Sequence, residues 1–177
     1  IAGVNVLDND TYLPTPVVVT QLTGMSNITI NTSGSVSIEP LTPSGTYTAT
    51  YRMCEDLGGG TPNPDNCYDA IITVLVVDAV IAANDDDFTA SPVNGSIGGV
   101  VTGDIFVNDE LQGNPLNPNK VTLTWTNTAA LTMTATGEIS VVPGTTLGNY
   151  DITYTICENI NPTNCNSGTA TVAVEGG

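Results

Sequence analysis

The stretch Tyr51-Arg52-Met53-Cys54-Glu55 returns later in the chain as Tyr154-Thr155-Ile156-Cys157-Glu158. Each copy is followed by the pattern Asn-Pro-x-Asn-Cys, at residues 63–67 and at residues 161–165. A β-branched run comes next in both places, which is typical of a strand that returns after a hairpin loop. A chain that repeats itself at this spacing is built from tandem, domain-sized units.

The repeat predicts two domains, one at residues 1–78 and one at residues 79–177. The first unit has no counterpart of residues 84–99, so we expect it to be N-terminally truncated relative to the repeat. The segment that joins the units, residues 78–83, is mostly apolar and contains neither Gly nor Pro. A flexible tether is typically rich in Gly and Ser, so we expect a stiff junction.

The composition excludes several classes of function. The chain of 177 residues has two Lys and Arg against eighteen Asp and Glu, no His, and a net charge of −16. Such a charge argues against binding to nucleic acid, which needs cationic contacts to phosphate, and against docking on an anionic membrane. It fits an extracellular, solvated rod or a protein whose carboxylates bind divalent cations. The longest apolar run, Ile71–Val77, is too short to span a bilayer.

Short strand signals separated by Gly, Pro, Asn and Thr recur along the whole chain, and no window shows a helical apolar period. The predicted strands of the first unit are residues 16–21, 27–32, 35–38, 45–54 and 70–77. Those of the second unit are residues 100–107, 120–126, 131–135, 138–142, 149–157 and 170–175, with a short edge strand at 88–90. This pattern predicts an all-β fold of two tandem immunoglobulin-like (cadherin-like) antiparallel β-sandwich domains.

Three aromatic side chains have structural interpretations. Tyr47 and Tyr150 each follow a turn ahead of a long strand, which is where sandwiches of this type place a tyrosine corner. Trp125 lies in a strand among Thr residues, and we expect it to fill the core.

The four cysteines lie in two equivalent pairs at the feet of the repeated hairpin loops. Four cysteines allow three connectivities, and the repeat selects Cys54–Cys67 and Cys157–Cys165 as F–G hairpin disulfides. A zinc site is a poor alternative, because each unit offers only two Cys and the chain has no His. Disulfides place the protein in an oxidising compartment.

The repeated phrases resemble those of giant repeat surface adhesins of Bacteroidetes, the flavobacterial SprB-like gliding-motility adhesins. The resemblance rests on Tyr-x-x-Cys-Glu with Asn-Pro-x-Asn-Cys, on residues 78–88, and on the Val-Leu-x-Asn-Asp-like stretches 6–10 and 106–110. It covers essentially the whole chain. It implies export by type IX secretion, display on the bacterial cell surface, and gliding machinery as a partner.

Acidic clusters are the candidate binding sites. In immunoglobulin order, the start of the first strand, the B–C loop and the F–G loop lie at one end of a domain, so their oxygens are expected to converge on calcium, which takes six to eight oxygen ligands. The predicted calcium ligands of the second unit are Asp78, Asp85, Asp86, Asp87, Asn108, Asp109 and Glu158. The first unit offers an incomplete set of Asp8, Asn9, Asp10 and Glu55. The alternative is that these residues cap turns in solvent without a metal.

An enzyme is not expected, because Ser and Thr have no His to act as a base and the cysteines are committed to disulfides. We expect the segment to act as a stiff stalk of a secreted adhesin, with neighbouring repeats of the same chain as partners. One rival is a repeat that binds surface polysaccharide or another ligand through loops such as residues 57–64. Another is a non-catalytic accessory module of a large secreted enzyme.

Overall fold

The computed structural model describes residues 3–10 and 16–176. The chain forms two compact units, Ile1–Val77 and Asp78–Gly177, and the predicted boundary after Asp78 lies one residue further along. Among the described residues, the regular elements of both units are almost all strands. No helix among the described residues is long and apolar enough to cross a membrane.

The first unit has five described strands in two sheets. The strands are β1 (Val17–Gly24), β2 (Ile28–Ile30), β3 (Val36–Ile38), β4 (Gly45–Asp56) and β5 (Pro62–Val76). One sheet has the antiparallel order β1-β4-β5, and β2 pairs with β3 in the other. The two sheets enclose a small core that includes Val19, Ile28, Ala49 and Tyr51.

The second unit repeats this plan with additional strands. They are β6 (Ile81–Ala82), β7 (Asp86–Asp87), β8 (Val93–Asn94), β9 (Gly99–Val100), β10 (Glu110–Leu111), β11 (Asn114–Pro115), β12 (Val121–Trp125), β13 (Leu131–Met133), β14 (Ile139–Val141), β15 (Gly148–Glu158) and β16 (Cys165–Glu175), with a 3-10 helix at Pro118–Lys120. One face of the sandwich is β12-β15-β16-β7, with β8 also on β16, and the other face is β13-β14-β9. A small third sheet has the order β11-β10-β6. The predicted immunoglobulin-like sandwich is confirmed.

Alternation along the long hairpin explains why the core of the second unit forms. In β15 the buried positions are Ile152, Tyr154 and Ile156, and in β16 they include Ala170 and Val172. All five side chains are inaccessible to solvent, as expected when every second residue of a strand faces the opposite sheet.

Both predicted disulfides are present, and each joins directly opposite residues of a hairpin. Cys54 pairs with Cys67 and Cys157 with Cys165, with Cα–Cα distances of 4.1 Å in both. The tyrosine corners are also present. Tyr47 Oη donates to the carbonyl of Pro43 at 2.8 Å, and Tyr150 Oη donates to that of Thr146 at 2.9 Å.

Two strand predictions in the second unit were wrong. Only Gly99 and Val100 are in a strand near the predicted segment 100–107, because Asp104 turns the chain by accepting the backbone N–H of Phe106 on its carboxylate and that of Val107 on its carbonyl. The predicted edge strand 88–90 lies instead at Asp86–Asp87, and the chain turns at Phe88, whose carbonyl accepts the N–H of Ser91.

The apolar joining segment belongs to the second unit. Ile81 is buried in the core of that unit, Ala83 packs against it, and Val80 is exposed. β6 pairs with β10 through Ile81 and Leu111, so pairing as well as burial holds this stretch.

Candidate functional site

The repeated Glu and Asn residues form the same hydrogen-bonded clamp in each unit. Glu158 Oε2 accepts the side-chain amides of Asn161 at 2.8 Å and Asn164 at 3.1 Å. In the first unit, Glu55 Oε2 accepts the amides of the two corresponding Asn residues, at 2.8 Å and 3.2 Å. The repeated motif is therefore a structural device that closes the F–G hairpin, and we call it the Glu–Asn–Asn clamp.

The clamp of the second unit also holds the start of that unit. Asn164 donates its amide to the carbonyl of Ala79 at 2.8 Å, and Asn166 donates to that of Ile81 at 3.1 Å. Glu158 is buried, and a buried carboxylate needs such donors to offset its desolvation. In the first unit, the amide of Asn63 helps to hold the pKa of Glu55 below its usual range.

The predicted acidic cluster of the second unit is organised around one buried hydroxyl. Tyr154 Oη lies 3.0 Å from the carbonyl oxygen of Asn84 and 3.0 Å from Asp86 Oδ2. It lies 3.4 Å from Asp109 Oδ2 and 3.5 Å from the carbonyl oxygen of Ile105. The residues Asp86 and Asp109 are 7% and 1% exposed. We call Tyr154, Asp86 and Asp109 the tyrosine–carboxylate centre.

Backbone and side-chain amide contacts connect Asp109 of this centre, and its neighbour Asn108, to the residues just ahead of β7. The N–H of Asn84 donates to Asp109 Oδ1 at 2.7 Å, and its side-chain amide donates to the carbonyl of Asn108 at 2.6 Å. In return, the amide of Asn108 donates to the carbonyl of Asp85 at 2.9 Å. The turn before β10 is therefore joined to the start of β7 by three hydrogen bonds.

The electrostatics of the centre disfavour charge on its members. Burial raises the pKa of Asp86 to about 6, the nearby carboxylates of Asp109, Asp104 and Asp85 act in the same direction, and the bond from Tyr154 opposes them. Burial also raises the pKa of Asp109 and, together with the two carboxylates, that of the Tyr154 hydroxyl. The ionised forms of these groups are therefore less stable in the folded protein than in water, and ionisation of these groups destabilises the fold.

Of the predicted calcium ligands of the second unit, Asp86 and Asp109 are brought together, whereas Glu158 is used in its clamp. Asp85 Oδ1 accepts the N–H of Thr169 at 2.9 Å. Asp87 Oδ1 accepts the N–H of Thr89 at 2.9 Å. Asp78 is exposed. Within residues 3–10 and 16–176, no group of three or more Asp, Glu or Cys is arranged to hold a metal ion.

The first unit has part of the same centre. Tyr51 occupies the position of Tyr154 and donates to the carbonyl of Val6 at 3.3 Å. Asp8 Oδ2 accepts the N–H of Asn5 at 3.3 Å, and Asn9 is exposed. The contact of Tyr51 with Val6 corresponds to that of Tyr154 with Ile105, which shifts the predicted match of residues 6–10 to residues 105–109 and places Asp10 at the position of Asp109. Asp10 Oδ2 is buried without a hydrogen-bond partner among the described residues.

Sequence reasoning missed Tyr154 and Asp104 as members of the acidic site. A signal for the tyrosine was present, because the Tyr of Tyr-x-x-Cys recurs in both units. Nothing in the spacing indicates that a residue on β15 meets residues from β7 and from the turn after β9, since those contacts join distant parts of the chain.

A shallow groove of about 500 Å³ lies on the second unit. Its lining includes Trp125, Asn127, Asp151 and several Thr residues. The indole of Trp125 is half-buried and packs against the core, so it fills the core only in part, and its N–H donates to Asn127 Oδ1 at 2.8 Å. Register pairing places Gln21 at the corresponding position of the first unit.

No family model matches the chain, and no curated protein matches it significantly in sequence. Similar solved structures include mouse cadherin-23 repeats EC22–24, at 14% identity over 91% of this chain and 53% of that chain, with a TM-score of 0.40. Protocadherin gamma B2 domains 3–6 match at 11% identity over 91% and 43%, with a TM-score of 0.42. The endo-fucoidan hydrolase MfFcnA4 of glycoside hydrolase family 107 matches at 13% over 93% and 24%, with a TM-score of 0.37. The chain thus spans about half or less of each of these structures, and such low scores carry no functional argument.

Replacing Glu158 with Ala should destabilise the second unit by about 1–3 kcal/mol, because two amides lose their acceptor in a buried place. The measurement is the free energy of unfolding in denaturant. Glu138→Ala, which changes an exposed residue, is the matched control and should alter stability by less than about 0.5 kcal/mol. Equal effects of the two substitutions would contradict a structural role for the clamp.

Stability of the second unit should fall as pH rises through about 6, because the pKa of Asp86 is raised from 3.8 to about 6. Between these values the folded state binds more protons than the unfolded state, so this contribution is fully present below the lower value and is lost above the higher one. The measurement is the melting temperature of Asp86→Asn minus that of the parent chain, in chelator. This difference should be more positive at pH 7.5 than at pH 4.5. Parallel pH profiles would contradict the assignment.

Proposed function

We propose that this chain is a repeat segment of a large secreted cell-surface adhesin, in which the two units act as a stalk and carry out no catalysis. The stalk holds an adhesive part of the protein away from the cell. The partners in this proposal are the neighbouring repeats of the same polypeptide.

One observation carries the proposal: the features repeated between the units are those that hold each fold together. The disulfide, the Glu–Asn–Asn clamp and the tyrosine corner occupy equivalent positions in both units. The outward-facing residues differ, since Ile71 and Leu75 on β5 correspond to Thr169 and Ala173 on β16 by the shared register. A repeat built for a shared ligand would repeat its surface, whereas a spacer repeats its scaffold.

The chemistry of the side chains supports an extracellular, non-catalytic role. All four cysteines are in disulfides, which persist outside the reducing cytosol. The chain has no His, and its two converging carboxylates are buried against Tyr154. The bacterial surface, type IX secretion and a role in gliding motility rest on the sequence resemblance alone and are part of the proposal.

A second candidate function is glycan binding by the groove beside Trp125. The observation in its favour is that the groove contains an aromatic ring and an acid that the first unit does not repeat, since Gln21 and Thr48 stand at the positions of Trp125 and Asp151. Against it, the indole ring packs on the core and its N–H is already bound to Asn127.

The deciding experiment replaces residues 1–177 in the parent adhesin with two unrelated immunoglobulin-like domains of similar length. A stalk predicts that cells still display the adhesin and attach normally. In parallel, the purified chain is passed over immobilised surface polysaccharides, where a stalk predicts no retention. Loss of attachment in the exchange, or retention that Trp125→Ala abolishes, would contradict the stalk and favour the groove.

Calcium binding is a further prediction, at a part of the site that the sequence predicts. The Tyr154 hydroxyl lies between Asp86 and Asp109, so the oxygens open to an ion are those of the exposed Asp85, Asp87 and Asn108. An ion there would take much of its shell from water, so we expect weak binding, with a dissociation constant of about 10⁻⁴–10⁻³ M.

Calorimetry with calcium should show this weak heat, and millimolar calcium should raise the melting temperature of the chain. The double substitution Asp85→Asn and Asp87→Asn should remove both effects, while Asp151→Asn, a change on another exposed surface, should keep them. No heat and no shift at millimolar calcium would leave these carboxylates as turn residues without a metal.

A further inference from the structure

The outer edge of β12 in the second unit has open backbone groups. Asn159 donates its N–H to the carbonyl of Lys120, so Thr122 and Thr124 are the residues of β12 that exchange hydrogen bonds with β15. The backbone groups that point away from β15 are those of Val121, Leu123 and Trp125. Among the described residues, no strand pairs with this edge, and the one backbone hydrogen bond made there runs from the N–H of Val121 to the carbonyl of Pro118.

The first unit covers the same edge with its own residues. Val19 of β1 stands at the position of Leu123 by register, and its N–H donates to the carbonyl of Thr32 at 3.0 Å. The side chain of Gln21 accepts the N–H of Ile30 at 2.8 Å, and the register of β1 shifts directly after Gln21. Internal bonds and a register shift both keep an edge strand from pairing with another chain.

The edge of β12 has none of these protections. The strand contains no charged residue and no Pro, and its pairing with β15 has no register shift. Residues 121–137 are all uncharged, although the chain has eighteen Asp and Glu. Leu123 and Trp125 are half-buried. A regular, uncharged edge strand with open backbone groups is a template for another strand.

We propose that the second unit associates with a second copy of this chain by antiparallel pairing of β12 with β12, centred on Leu123. A two-fold axis perpendicular to the sheet relates the copies, so the interface is isologous. Leu123 and its copy exchange both of their backbone hydrogen bonds, and the N–H of Trp125 donates to the carbonyl of Val121 in the other copy. This inference goes beyond the proposed stalk function and does not depend on adhesion.

The side chains of β12 complement each other in this register. On the inner face, Trp125 of each copy lies opposite Val121 of the other, so two residues that pack in the core of each unit meet across the interface. On the outer face, Thr122 lies opposite Thr124 of the other copy, and cross-strand Thr pairs stabilise sheets. A register centred on Val121 or Trp125 would leave the other end of the strand unpaired.

Charge complementarity favours the antiparallel orientation. Lys120 is exposed, is the only cationic residue of residues 78–177, and precedes β12 on the same side as the outward-facing Thr122. Antiparallel pairing brings Lys120 opposite Thr126 of the other copy, and the exposed Asp151 lines the same groove as Thr126. Parallel pairing would instead bring Lys120 beside Lys120. Opposite charges across an interface fix its register more than they raise its affinity.

The first test measures self-association of the full chain by sedimentation at concentrations up to about 1 mM, in salt that screens the repulsion between acidic copies. Leu123→Pro removes the N–H at the centre of the pairing, a change that an edge strand tolerates. Leu123→Ala removes the same side chain and keeps the N–H. We expect Leu123→Pro to associate at least about tenfold more weakly than Leu123→Ala. A monomeric parent chain, or equal association of the two variants, would overturn the proposal.

A charge exchange tests the register without altering the backbone, and it decides the matter if Leu123→Pro does not fold. Lys120→Glu should weaken association by about two- to fivefold, and Lys120→Glu combined with Asp151→Lys should restore most of it. Hydrogen exchange of the parent chain should show that the amides of Leu123 and Trp125 become protected as the concentration rises. Protection confined to β5 or another surface, or no rescue in the double variant, would overturn the proposed pairing.

Discussion

A tyrosine hydroxyl that is carried into a protein interior must find hydrogen-bond partners there, because leaving it unpaired costs about 1–3 kcal/mol. In the second unit, the hairpin of β15 and β16 carries Tyr154 inside, and its contacts come from separate parts of the chain: the start of β7, the turn at Ile105, and Asp109. This one side chain therefore fixes where β7 lies against the turn at residues 104–109. The carboxylates that complete the arrangement are desolvated, which is why the pKa values of Asp86 and Asp109 are raised.

The hairpin itself is held by three different interactions along its length. The disulfide joins the two strands, the Glu–Asn–Asn clamp closes the base of the loop, and the tyrosine corner ties the beginning of the strand to the preceding turn. Because the clamp and the disulfide join the two strands at the base of the F–G loop, the length and sequence of the loop beyond them can change. In the first unit the loop is longer, and the carboxylate of Asp56 organises it by accepting the backbone N–H groups of Gly58, Gly60 and Thr61. A scaffold of this kind can be repeated along a chain while its surfaces vary.

The acidic residues show where sequence reasoning succeeded and where it stopped. The sequence predicts Asp85, Asp86 and Asp87 as one cluster of calcium ligands, yet strand alternation sends Asp86 inward and its two neighbours outward. The sequence predicts Glu158 as a ligand of the same cluster, although its carboxylate accepts hydrogen bonds from two amides three and six residues away. Identical chemical groups thus serve as buried acceptors, turn caps and solvated charges. Their one-dimensional spacing does not distinguish these roles, because the distinction depends on which side chain faces the core.

The sequence by itself determined the all-β class, the pairing of the cysteines and the tyrosine corners. Each of these depends on local periodicity or on comparison of the two copies of the repeat, and both can be read along the chain. Only the tertiary structure decided that Asp86 and Asp109 meet at Tyr154, that residues 101–107 turn instead of extending, and that the outer edge of β5 is left without a described strand. These features arise from contacts between residues far apart in sequence, and their energies depend on burial and on direction. Neither quantity exists until the sheets have packed.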